Sequence, residues 1–160
     1  MSASRGGYRI LDEPTPGGLA AYVVNPTFPL LAVMLAGSWL SMPWFAINAL
    51  ALGSPTARRE IALAAAALGG AALIAFALLA ADAQGLIGER TVRYWLLIPT
   101  TWKLVVGYWL FILQDRTFDL YRHFGGRVRN GFAVLLIGAF LARPYVIGLF
   151  KTSLWSLTVR

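Results

Sequence analysis

The run Tyr94–Gln114 (YWLLIPTTWKLVVGYWLFILQ) is long and apolar enough to cross a bilayer, yet it carries Lys103 next to its midpoint and Pro99 one turn earlier. A charge at that depth costs about 2.5–3.5 kcal/mol on insertion scales, so it calls for a partner or a purpose. Whatever this chain folds into must therefore hold one cation inside an apolar helical layer.

The remaining chain fits that setting. Mean hydropathy is +0.65, with 58% hydrophobic and 13% charged residues. A water-soluble domain carries about 25% charged residues, so this chain lacks the polar surface to face water all round. Four apolar runs, 28–52, 61–81, 94–114 and 131–150, each supply the ~20 residues that a spanning helix needs. The alternating polarity of an outer-membrane barrel is absent from the sequence. The expected fold is an all-α integral membrane protein, a four-helix transmembrane bundle with kinked spans 1, 3 and 4. A flexible or interfacial N-terminal arm, 1–27, precedes it, and an interfacial tail, 151–160, follows.

The kinks are assigned to prolines: Pro43 in span 1, Pro99 in span 3 and Arg143-Pro144 in span 4. The first run begins at Phe28 and outlasts the 7–15 apolar residues of a secretory signal, so it reads as a span. Asn48 beyond Pro43 is expected to hydrogen-bond a neighbouring helix. Ser54 or Thr56 is expected to cap span 2, with Glu60 against its positive end. Within span 2, Ala62, Ala66 and Gly70 recur every four residues, as do Ala67, Ala71 and Ala75. Such spacing lets helix backbones approach closely, within the bundle or between copies. The helical period of span 3 continues to Phe124 and meets a stop at Gly125-Gly126, ahead of the basic Arg127-Val128-Arg129.

Net charge is +7, with the basic residues concentrated in short segments between apolar runs. That is the disposition of residues beside anionic lipid headgroups, and it does not point to nucleic acid. Twelve of the fourteen basic residues are arginine, which suggests a GC-rich bacterial genome and hence a bacterial inner membrane. The loops after spans 1 and 3 carry their arginines in fewer residues, which leans them to the cytoplasmic side. Cysteine is absent, so disulfides and thiolate metal sites are excluded.

Lys103 and Arg143 are the two cations within the spans, and antiparallel helices bring their ends towards one depth. Three fates are open to them. They reach the headgroups and the carbonyls freed by Pro99 and Pro144; they pair with Asp82 at the end of span 2; or they address an anion from outside the chain. Asp115, Asp119 and His123 recur every four residues and form the one metal-like pattern, although a solvated helix face explains the same spacing. The sequence holds no nucleophile elbow, P-loop, HExxH or dinucleotide fingerprint, and no cofactor is expected. The leading expectation is a non-enzymatic accessory or assembly subunit of an inner-membrane complex, partnered by lipid and by a membrane protein or further copies of itself. The alternatives are an oligomeric transporter or pore element for an anionic solute or lipid using Lys103 and Arg143, and a membrane-bound metal-dependent enzyme.

Overall fold

The structure, a computed structural model, describes residues 18–86, 92–95 and 97–148. The N-terminal arm up to residue 17, the Glu89-Arg90 turn and the tail 151–160 lie outside the described residues. Within them the chain is helical, with no strand. Helices α1 (Thr27–Leu35), α2 (Ser38–Leu52), α3 (Ala57–Ala83), α4 (Val92–Trp95), α5 (Leu97–His123), α6 (Phe132–Leu136) and α7 (Arg143–Gly148) follow in order. A π-type stretch, Ile137–Ala142, joins α6 to α7. Among the described residues, α3 is the one helix long and apolar enough to cross a membrane, and Phe132–Val146 is a shorter apolar helix.

The run 28–52 is two helices rather than one kinked helix. The break falls at Gly37 (φ 106°, ψ 176°), a conformation that is essentially glycine-only. Pro43, the expected kink, sits inside α2. A proline removes a single N–H, whereas the backbone at Gly37 turns the chain out of the helix altogether. In the last segment the irregularity precedes Arg143-Pro144. Pro144 offers no N–H to the Phe140 carbonyl, and the π stretch just before it closes with the Arg143 N–H on the Gly138 carbonyl.

Three antiparallel or parallel seams fix the registers around α5. Val33 of α1 lies against Gly107, and Val23 clusters with Phe118 and Tyr121, so the segment 23–35 runs opposite to α5. Met42 and Phe45 pack with Val106 and Leu110, and Leu52 with Phe118, so α2 runs parallel to it. Ala64 and Ala67 join the same cluster while Gly70 meets Trp102, so α3 runs antiparallel. Of the two small-residue rows, Ala67, Ala71 and Ala75 form the buried seam; Ala62 and Ala66 are exposed, and only Gly70 of their row is covered. Helix α5 ends as its glycines dictate: Gly125 is left-handed (φ 78°) and the Gly126 N–H closes on the Tyr121 carbonyl at 2.9 Å.

Gly70 and Gly69 make opposite predictions. A Cβ at Gly70 would lie 2.5 Å from the Trp102 indole nitrogen, which donates to the Ala67 carbonyl at 3.2 Å. Gly70→Ala is expected to destabilise by about 1–2 kcal/mol, overpacking outweighing the gain in helix propensity. At Gly69 a Cβ meets nothing within 4 Å, so Gly69→Ala gains about 0.5–1 kcal/mol. Thermal unfolding of the two variants in one detergent checks both signs.

Candidate functional site

In an unbroken helix the Leu35 carbonyl would accept from the Trp39 N–H, and the Ala36 carbonyl from the Leu40 N–H. The turn at Gly37 separates these pairs, and side chains take over the carbonyls. Arg143 Nη1 donates to the Leu35 oxygen at 3.0 Å, and Trp39 Nε1 to the Ala36 oxygen at 2.8 Å. Arg143 thus serves a carbonyl freed by the break in α1–α2 rather than the one freed by Pro144. It fastens α7 to the end of α1.

The donor side of the break is left otherwise. Among the described residues, the Trp39 and Leu40 N–H groups have no backbone acceptor, and α2 has no side-chain cap. Ser38 and Ser41 are fully buried, and the Ser41 hydroxyl has no hydrogen-bond partner among the described residues.

Lys103 lies at the same level. It is buried, 4% exposed, on the inner stripe of α5. One turn back from the cluster that holds Met42 and Val106, Ser38 falls at the level of Lys103. One turn on from the Val33–Gly107 contact, along the opposite direction, brings Gly37 there too. Both cations therefore converge on the break, Arg143 through Leu35 and Lys103 through the registers of α1 and α2. Asp82 does not. It is exposed at the end of α3, twelve residues or about 18 Å beyond Gly70, the residue level with Trp102. Of the three fates open to the cations, pairing with Asp82 is not formed among the described residues.

A second buried polar layer lies towards the other end. The Val24 N–H donates to Asn48 Oδ1 at 3.0 Å, Asn48 Nδ2 to Gln114 Oε1 at 3.0 Å, and Gln114 Nε2 to the Phe45 carbonyl at 2.7 Å. Asn48 therefore bonds a neighbouring helix, and its partner is Gln114, the last residue of the apolar run 94–114. Nearby on α3, Glu60 is fully buried, and its Oε1 receives the hydroxyls of Ser54 and Thr56. These two hydroxyls were expected to cap the helix backbone; they turn instead to the carboxylate, whose Oε2 has no partner among the described residues.

Asp119 and His123 are exposed, Asp115 half-buried, and no group of three potential ligands gathers among the described residues. Outside the bundle, an open groove of about 400 Å³ runs along Ile74, Leu97, Ile98, Thr101, Trp102 and Val105. Its lining is apolar enough to take hydrocarbon. The chain matches no protein-family model, no curated protein and no solved structure.

Proposed function

We propose that the chain is a small multi-pass protein of the bacterial inner membrane, acting without chemistry of its own as an accessory or assembly subunit of a larger complex. The observation that carries this reading is an apolar outer surface around a core that also encloses polar groups. The interior holds Ser41, Asn48, Glu60, Lys103, Gln114 and Thr117, while Leu73, Phe76, Ile98, Trp109, Phe140 and Leu141 are exposed. Water penalises so much exposed apolar surface; a bilayer favours it, and its apolar solvent leaves polar groups to be satisfied inside.

Length supports two crossings, α3 and α5. Helix α3 spans 27 residues, about 40 Å, and α5 the same, its hydropathy reduced by Lys103, Gln114 and amphipathic aromatics. Helices α1 and α2 run in opposite directions along α5, so they enter the layer and return as a hairpin about Gly37, while the segment 132–148 is an interrupted helix. Exposed Arg58, Arg59, Arg122, Arg127 and Arg129 gather at one end of the bundle, which the positive-inside rule directs to the cytoplasm.

Since the chain has no cysteine, single cysteines report topology cleanly. An impermeant maleimide on intact cells is expected to label Gln84→Cys and to spare Pro55→Cys and Arg127→Cys. Labelling of Arg127→Cys together with Gln84→Cys would mean that α5 does not cross, and the multi-pass reading would fall. The accessory role predicts a stoichiometric membrane partner, or further copies of the chain, after crosslinking in cells. A monomer in mild detergent with neither would sink it.

A further inference from the structure

Hydrogen-bond accounting at the break is one-sided. The two carbonyls it frees, on Leu35 and Ala36, are both satisfied by side-chain donors. What remains among the described residues is donors: the Trp39 and Leu40 N–H groups and the buried Ser41 hydroxyl. Side chains of a helix lean towards its N-terminus, so Ser41, in the fourth position of α2, leans back over this first turn. A buried set of donors without an acceptor is a high-energy arrangement, and filling it requires an acceptor from outside.

Charge selects the kind of acceptor. The N-terminus of the 15-residue α2 carries about half a positive charge. Lys103 adds its charge at the same level, buried in the same layer. Gly70, level with Trp102, is the middle residue of α3, so the set lies at the centre of that helix and, in a bilayer, near the midplane. Interrupted helices at that depth with half-helix N-termini turned to a negative group are a recurrent solution to anion binding in membranes. Burial limits the size. Gly37, Ser38 and Ser41 are all buried, which favours a compact ion over a lipid headgroup.

We propose that the α1–α2 break is a binding site for a small monovalent anion of the halide class, held by the first-turn N–H groups of α2 and the Ser41 hydroxyl, with Lys103 supplying charge. The site goes beyond the accessory-subunit reading and depends only on its membrane setting; partner capture is unaffected by either outcome below.

The test uses the full chain in neutral phosphatidylcholine nanodiscs, with chloride replacing gluconate at constant ionic strength and thermal unfolding followed by tryptophan fluorescence. A saturable rise in Tm of about 5–10 °C is expected at a hundredfold excess of chloride over its Kd. Ser41→Ala should weaken the apparent Kd about tenfold, Lys103→Met should abolish the rise, and Arg127→Gln should leave it intact. Ser41→Ala removes only a hydroxyl, so it decides the matter even if Lys103→Met fails to fold. A rise that is absent, does not saturate, or survives Ser41→Ala undiminished overturns the proposal and leaves the donors to water. An equal rise on adding phosphatidylglycerol in gluconate overturns it in favour of a lipid phosphate.

Discussion

Gly37→Ala is expected to destabilise the protein by about 2–3 kcal/mol, which lowers Tm by about 5–10 °C for a chain of this size. Gly37 holds φ 106° and ψ 176° in a buried position, where any Cβ is strained. Relieving the strain by continuing α1 into α2 would open the hairpin, because the two helices run in opposite directions along α5. That would return the Trp39 and Leu40 N–H groups to the Leu35 and Ala36 carbonyls. It would also expel Arg143 and the Trp39 indole from those carbonyls, loosening α7 from α1. Either response abolishes the proposed anion site. Pro43→Ala is the control of opposite sign, because an exposed proline inside α2 is replaced by a better helix former. Unfolding of both variants under one condition would show which residue sets the break. A destabilised Pro43→Ala beside a neutral Gly37→Ala would refute this assignment.

Much of this architecture was legible in the sequence because it rests on length and periodicity. The helical character of the runs, the end of α5 at Gly125-Gly126 and the interhelical bonding capacity of Asn48 all follow from composition and local chemistry. The break was misplaced because proline is the stronger generic signal. The Gly37-Ser38 pair is itself a known cause of sharp bends and was available in the sequence. Gln114 was missed for a different reason. It closes an apolar run and so reads as a boundary, yet Lys103, Leu110, Gln114, Thr117 and Tyr121 recur on one helical stripe, and that stripe is the buried one. Asp82 illustrates what one sequence withholds. Its proximity to Lys103 depended on how far α3 slides along α5, and that register is set by the fit of Trp102 over Gly70, a contact between distant residues. The choice between the two alanine rows of α3 was undecidable for the same reason.

Asn48→Leu is expected to cost about 2–4 kcal/mol, because it strands two buried partners, the Val24 N–H and Gln114 Oε1. Gln114→Leu in the same background should recover about 1–2 kcal/mol of that loss. It removes the stranded Gln114 oxygen, and the Phe45 carbonyl loses only an additional donor on top of its place in α2. A double-mutant cycle by equilibrium unfolding measures the coupling; strictly additive effects would mean that the network contributes nothing beyond its separate parts. The consequence reaches further than stability. This layer ties the backbone before α1 to α2, and α2 to α5, about 15 Å along the helices from the break. The level match of Ser38 with Lys103 depends on that same α2–α5 register. Asn48→Leu should therefore weaken chloride stabilisation although Asn48 lies far from the ion, and the double variant should restore part of it. If chloride binding ignores Asn48 while stability responds, the register at the break is fixed locally by Arg143 and Trp39, and the two polar layers act independently.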